Sequence, residues 1–147
     1  MSKPVDIINQ LLTQLQDSSA LSYVQDANIL KGARESITLF PCIVLEPIRI
    51  TEKDYVYEKQ RLVMNIAVVG FTKVLNKDDQ ITGSGDDRGI MTLENDVKKA
   101  ISSDITLGGY AIDTNIKETV YELIEYPIRG FSINIEVLFE QDAVNRT

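Results

Sequence analysis

The 147-residue sequence predicts an α+β protein in which two or three helices cover a four-stranded sheet, mainly antiparallel or mixed, in the order α-β-β-α-β-β. Three observations support this prediction. Two segments repeat apolar residues at helical spacing. Two segments between them are rich in β-branched and aromatic residues. Residues 131–139, near the C-terminus, alternate strictly between apolar and polar. At this length we expect residues 1–147 to form a single domain.

The first helix is predicted at the N-terminus and extends to about Gln16. Pro4 fits a first helical turn, where its missing N–H needs no partner, and Asp6 complements the positive end of the helix dipole. One face then carries an apolar stripe of Ile7, Ile8, Leu11, Leu12 and Leu15. We expect this stripe to pack in the core. Residues 17–36 are polar and irregular, with a short helical turn expected around residues 21–26.

Two strands are predicted next. Residues 37–47 are β-rich but contain Pro41 and Pro47. Because proline has no donor for a sheet ladder, this strand should lie at an edge or begin after Pro41. Residues 62–71 are nearly continuous in apolar side chains, which is typical of a strand covered on both faces. We therefore place the second strand at the centre of the sheet.

The last unit is a helix followed by two strands. Its helix carries a stripe of Leu93, Val97, Ala100 and Ile101. Gly108 and Gly109 then permit a tight turn that side chains would hinder. In the closing strand Phe131, Ile133, Ile135, Val137 and Phe139 alternate with polar residues, which predicts one buried and one solvated face.

The C-terminal third is similar in its order to a known protein family. A helix ending in VKKAISSD leads into DITLGGYAID, and GFSINIEVLF forms the closing strand. This order resembles the tail terminator proteins (minor tail or tail-completion type) of long-tailed bacteriophages. The resemblance covers residues 93–140 well and the rest of the chain in layout.

The resemblance implies a structural virion protein with no catalytic residue and no cofactor. Such a protein forms a ring, usually of six copies, that caps the head-proximal end of the tail tube, stops its elongation and joins it to the head. The implied partners are further copies of the chain, the tail tube protein and a head-connector or neck protein. Duplex DNA would pass through the lumen without specific binding. The subunit would be made in the host cytoplasm and reside in the virion tail.

Two alternatives remain open at this point. The first is another neck or tail-completion protein of the head–tail interface. The second is a small α+β ligand-binding or regulatory module, because a fold does not decide a function by itself.

Composition excludes several kinds of chemistry within one copy of the chain. The sequence has no histidine, so it cannot build a Ser-His-Asp or Cys-His catalytic arrangement. With Cys42 as its single cysteine it can form neither an internal disulfide nor a structural zinc site. Cys42 lies in an apolar run and is expected to be a small buried hydrophobe. An enzyme would have to work with carboxylates, Lys, Tyr, Ser or Thr. Because the resemblance brings no catalytic residue, we expect no enzyme and no metal site.

The charge balance disfavours nucleic-acid binding. Lys and Arg number 15 against 22 Asp and Glu, which gives a formal charge of −7. A surface that holds phosphates needs clustered cations, and an acidic wall would instead repel DNA. No stretch approaches the ~18–20 apolar residues of a membrane span, and the N-terminus lacks the apolar region of a signal peptide. No membrane partner is expected.

The glycine- and aspartate-rich segment from Asn76 to Asp87 is the most loop-like part of the chain. Gly83, Gly85 and Gly89 do not match the spacing of a dinucleotide-binding loop. The paired aspartates lack the order of an EF-hand, so a solvated, mobile turn is expected.

Candidate interface residues lie in two projecting segments. The hairpin tip between Pro47 and Gln60 holds two tyrosines, each of which offers apolar area and a hydroxyl. The second segment is the glycine- and aspartate-rich stretch from Asn76 to Asp87. The candidates for the contact with other copies or with the tube are Tyr55, Tyr57, Asp78, Asp79, Gly83, Ser84, Gly85, Asp86 and Asp87.

Overall fold

The structure, a computed structural model, describes residues 3–32, 40–56, 58–85 and 88–142. Within these ranges the α-helices are α1 (Lys3–Asp17) and α2 (Ile90–Ser102). The strands are β1 (Ile29–Lys31), β2 (Cys42–Val56), β3 (Lys59–Lys73), β4 (Asp113–Glu125) and β5 (Ile128–Asp142). Short 3₁₀ turns span Ser19–Leu21, Asp26–Asn28 and Lys77–Asp79.

The described strands form one sheet in the order β1-β2-β3-β5-β4. β1 pairs parallel with Ile43–Leu45 of β2, and every other pairing is antiparallel. The α+β class is confirmed, and the sheet is mixed. The predicted four-stranded sheet in the order α-β-β-α-β-β is corrected to five strands in the order α-β-β-β-α-β-β. A strand of three residues is too short to show an alternating pattern, which is why the sequence did not reveal β1.

The proline-containing strand begins where the sequence predicts. β2 starts at Cys42, immediately after Pro41, while residues 37–39 lie outside the described residues. Pro47 lies in β2 opposite Ile66, and the register shifts between Pro47 and Arg49. Because β1 reaches only to Leu45, Pro47 stands where β2 has no second neighbour among the described strands. Proline is tolerated there because a sheet edge needs no donor.

Both helices pack on one face of the sheet, which we call the helix face, and the predicted burial of β5 is confirmed. Its alternate residues from Phe131 to Phe139 are at most 1% exposed, and the residues between them are only half-buried. The predicted stripes of both helices join the same core, through Ile7, Leu11 and Leu15 of α1 and Leu93, Val97, Ala100 and Ile101 of α2. β3 is the central strand, as predicted. Burial of this apolar area is the main stabilising contribution to the fold.

A glutamine of α1 holds the end of α2. The last carbonyl groups of a helix have no partner within the helix. The Gln14 amide nitrogen lies 3.0, 3.1 and 3.2 Å from the carbonyl oxygens of Ala100, Ile101 and Asp104, so its two N–H groups are shared among them. This contact fixes the C-terminus of α2 against α1.

Asp104 organises the turn that follows α2. One carboxylate oxygen accepts hydrogen bonds from the hydroxyl and the backbone N–H of Thr106, at 2.7 and 3.0 Å, and the other accepts from the N–H of Gly108 at 3.0 Å. The turn contains the predicted glycine pair, with positive φ at Leu107, Gly108 and Gly109. The hydrogen bonds, that of the Thr106 hydroxyl most of all, hold the pKa of Asp104 below its ordinary value of 3.8.

The lowered pKa of Asp104 gives a test of this turn. A carboxylate with a depressed folded-state pKa stabilises the protein above pH 3.8, and this stabilisation is lost as pH falls through the lowered pKa. Asp104→Asn should therefore lower the thermal unfolding midpoint at pH 7, and its difference from the native chain should shrink below pH 3.8. Glu58→Gln, an exposed carboxylate in the β2–β3 turn, controls for the loss of one charge. A difference between Asp104→Asn and the native chain that stays constant down to the lowest pH would contradict this account.

Candidate assembly surface

The structure places the predicted interface residues at two separate locations. Tyr55 lies in β2 opposite Gln60, beside the turn of the β2–β3 hairpin. Tyr57, Asp86 and Asp87 lie outside the described residues. The remaining candidates, Asp78, Asp79, Gly83, Ser84 and Gly85, lie in the segment between β3 and α2. The hairpin turn and this segment adjoin opposite ends of β3, whose fourteen steps at about 3.3 Å span roughly 45 Å. They therefore do not form one continuous site.

The segment between β3 and α2 is attached to the helix rather than projecting freely, in contrast to its loop-like composition. The first N–H groups of a helix lack partners within it. Here the N–H of Ile90 donates to the carbonyl of Gln80 at 2.8 Å, and that of Met91 donates to Ile81 at 2.9 Å. Gly89 is needed for this approach, since a Cβ there would lie 2.5 Å from the carbonyl oxygen of Ile81. Within this segment Asp78, Ser84 and Gly85 remain exposed, while Asp79 and Gly83 are half-buried.

The same segment is fixed to the turn between β4 and β5. The buried Gln80 amide donates to the carbonyl of Val74 at 3.0 Å and accepts from the Arg129 guanidinium at 3.1 Å. The Tyr126 hydroxyl donates to the carbonyl of Leu75 at 2.7 Å, and the Lys77 ammonium lies 5.4 Å from the centre of the Tyr126 ring. These non-covalent contacts therefore hold the segment against the β4–β5 turn at one end of the molecule.

Next to this end, the outer half of β4 exposes large apolar side chains. The exposed fraction is 49% for Val120, 47% for Tyr121, 63% for Leu123 and 48% for Ile124, and it is 53% for Tyr126 in the turn that follows. Tyr121 is paired with Phe131 and so lies on the helix face, whereas Val120 is paired with Ser132 and lies on the opposite, open face. β4 is also an edge strand, since none of the described strands pairs with its outer side. Apolar edges of this kind are typical of interaction sites, and β4 is therefore the candidate assembly surface.

The sequence carried a signal for this surface. Residues 119–126 read TVYELIEY, with apolar residues in adjacent pairs instead of alternation. Adjacent pairs in a strand place apolar groups on both faces. What the sequence does not show is that this strand lies at the edge, and the topology supplies that.

A shallow apolar groove borders β4 on the helix face. Its volume is about 240 Å³, and it is lined by Ile81, Ile90, Met91, Tyr121 and Arg129. Ile81 and Met91 are 44% and 46% exposed. The Tyr121 hydroxyl lies near the buried Glu94, and burial together with that carboxylate raises the pKa of Tyr121. The groove extends the apolar surface of β4 towards the start of α2.

A second groove, of about 230 Å³, is more polar, and its Tyr23 and Arg88 side chains are held by contacts within the protein. The Tyr23 hydroxyl donates to Asp96 at 2.7 Å, and burial and this carboxylate raise the pKa of Tyr23. The Arg88 guanidinium stacks 4.5 Å from the centre of the Tyr23 ring and donates to the carbonyl of Gly85 at 2.9 Å. These contacts join α2, through Asp96, to Tyr23 and Arg88. They engage both of these side chains within the protein.

Among the described residues, no group of three or more Cys, Asp or Glu side chains is placed to hold a metal ion. Cys42 is buried, in agreement with its apolar sequence context. Within the same ranges no helix has the length and apolar character that crossing a bilayer requires.

The fold and this surface define a small α+β protein with an exposed apolar edge strand. The same fold occurs in a chain of a solved structure titled "Virion of native gene transfer agent (GTA) particle". The two chains superpose with a TM-score of 0.57 at 8% sequence identity, over 89% of this chain and 92% of the other. Neither a protein-family model nor a curated protein matches the sequence. At this identity the likeness concerns the fold.

Proposed function

We propose that this protein is a structural subunit of a phage-type virion, and specifically a tail terminator that assembles into a ring of six copies. The observation that carries the proposal is the apolar edge strand β4. Its apolar side chains are exposed on both faces, next to the end of the molecule where the segment between β3 and α2 contacts the β4–β5 turn. The likeness in fold to a virion chain and the resemblance of residues 93–140 to tail terminators support the same function.

A terminator acts by binding, without turnover. Its ring would dock on the last ring of tail tube subunits, cover the surface to which the next ring would add, and present a new surface to the head-connector or neck protein. The free energy must come from surface that is exposed on the lone subunit and buried on assembly, at about 25 cal/mol per Å² of apolar area. β4 and its adjoining groove supply such surface.

The charge of the chain suits a ring through which DNA passes. A formal charge of −7 gives no excess of cations for gripping phosphates, so duplex DNA would move through the lumen without specific binding. The ligand-binding alternative receives less support, because Tyr23 and Arg88 of the polar groove are already engaged within the protein, by Asp96 and by each other.

The proposal is tested by native size and by tube capping. Light scattering and electron microscopy of the purified protein should show closed rings of six, either alone at high concentration or on tail tubes. Tubes of the same phage that carry the protein should stop elongating when fresh tube subunits are added. In a phage that lacks the gene, tails should vary in length and remain unattached to filled heads.

Two results would contradict the proposal. One is a particle that stays monomeric both alone and with tubes. The other is a ring that binds isolated head connectors but leaves tube elongation unchanged, which would identify a neck protein instead.

A further inference from the structure

We propose that the subunit contact is a continuous sheet, in which β4 of one copy pairs antiparallel with the open edge of β2 in a second copy. Tyr121 and Leu123 of the first copy would then enter an apolar groove on the second. This inference rests on the proposed function, because it specifies how neighbouring copies of the ring meet.

The described sheet has two open edges, on β2 and β4, whose strand directions allow antiparallel pairing between copies. β1 covers β2 only at Ile43–Leu45, so no described strand pairs with the outer side of β2 beyond Leu45. β4 is the opposite edge of the same sheet. Three successive antiparallel pairings separate β2 from β4, so the two strands run in opposite directions. Placing β4 of one copy beside β2 of the next therefore continues the antiparallel alternation. Such a head-to-tail contact uses two different surfaces and can close into a ring.

A groove beside β2 fits the side chains that β4 would bring. It has a volume of about 370 Å³ and lies between the start of α1 and the sheet, where its apolar lining includes Pro4, Val5, Ile8, Pro47, Ile50 and Met64. Most of this lining is apolar, and Val5 and Ile50 are 45% and 44% exposed. The groove lies on the helix face, and Tyr121 and Leu123 of β4 lie on that same face. In a continuous sheet these two side chains would project towards the groove of the neighbouring copy.

Charges on the open face define a register for the added strand. Arg49 is paired with Asn65 on that face, and the exposed Lys53 follows four residues later, just past Glu52, where the pairing of β2 shifts again. On β4, Glu118 and Glu122 are also four residues apart and lie on the open face, opposite Asn134 and Gly130. Aligning Arg49 with Glu122 places Ile50 opposite Tyr121 and Thr51 opposite Val120, and it brings Lys53, at the end of the regular stretch, close to Glu118. Oppositely charged side chains in directly facing positions favour that pairing over its alternatives.

The shape of β2 sets where the added ladder begins. The register shift between Pro47 and Arg49 interrupts regular pairing there, and proline cannot donate to a ladder. The regular part of the edge accordingly starts at Arg49 and runs to Glu52, where the next register shift begins. This is the residue that the charge pattern assigns to Glu122.

Charge reversal tests the contact. The variants Arg49→Glu/Lys53→Glu and Glu118→Lys/Glu122→Lys should each associate at least tenfold more weakly than the native chain, measured by light scattering across a concentration series. Mixing the two variants in equal amounts should restore rings, because in an alternating ring every junction again joins opposite charges. Recovery also shows that both variants fold. Asp17→Lys/Asp26→Lys makes an equal charge change on two exposed carboxylates outside β2 and β4 and should assemble normally.

Disulfide trapping tests the register. A chain carrying Thr51→Cys and Val120→Cys should give a ladder of covalent multimers on oxidation, whereas Thr51→Cys with Asn115→Cys should not. If rings form but charge reversal and trapping have no effect, or if the Asp17/Asp26 variant alone blocks assembly, this inference fails and the ring proposal stands. If the native chain never assembles and the Thr51→Cys/Val120→Cys chain never cross-links, both this inference and the ring proposal fail.

Discussion

Replacing Ile135 with alanine is expected to lower the free energy of unfolding by about 2–5 kcal/mol. Ile135 is fully buried in the middle of β5, between Ile66 of β3 and Ile116 of β4. Its face is covered by the helices, so removing three carbons leaves a cavity that the surrounding strands cannot close. Urea unfolding followed by circular dichroism measures the loss.

The neighbouring residue provides the control for this cavity. Asn134 lies on the open face of β5 and is half-buried, so Asn134→Ala should cost less than about 1 kcal/mol, within the range of substitutions outside a core. Equal losses at the two positions would show that β5 is buried on both faces. The assignment of the helix face would then be wrong.

Replacing Gly70 with alanine is expected to destabilise the protein by about 1–3 kcal/mol through overpacking. Gly70 lies in β3 directly opposite Phe131, and a Cβ at this position would lie 2.3 Å from the Phe131 ring. Phe131 is 1% exposed within the core, so its ring has no open space to enter. The same unfolding measurement applies.

An adjacent pair inverts this arrangement and supplies the matched control. Phe71 of β3 lies opposite Gly130 of β5, and a Cβ on Gly130 would meet the Phe71 ring at 3.1 Å. Because Phe71 is only half-buried, its ring can shift by a few tenths of an ångström. Gly130→Ala should therefore cost clearly less than Gly70→Ala. Adding Phe131→Leu to Gly70→Ala should recover part of the loss, and failure of both comparisons would place the strain elsewhere.

The sequence predicts those parts of the fold that repeat along one element. The stripes of both helices, the burial of alternate residues from Phe131 to Phe139 and the turn at Gly108 and Gly109 follow from local periodicity and backbone freedom. β1 is too short to be periodic, and its partner lies fourteen residues away in β2. No local pattern could show it.

Predicting the candidate assembly surface requires the strand topology to a greater extent than predicting the helices and strands does. The sequence singled out Tyr55, Tyr57 and the segment around Gly83 as projecting, and the predicted strand at residues 62–71 already lies between the hairpin tip and that segment. It does not show that the carbonyls of Gln80 and Ile81 receive the first N–H groups of α2, a pairing between residues ten positions apart that composition cannot encode. The pattern of β4 fits a core strand or an edge strand equally well. Its place in the sheet decides between them.

The apolar edge of β4 also has a consequence for the protein between its synthesis and its assembly. A strand with free backbone groups and apolar side chains on both faces is prone to irregular aggregation as well as to ordered pairing. The formal charge of −7 on each copy opposes both by mutual repulsion. That repulsion reaches only about 8 Å at physiological ionic strength. Ionic strength therefore controls how long a pool of unassembled subunits remains dispersed, and a partner that covers β4 early protects the protein from its own edge.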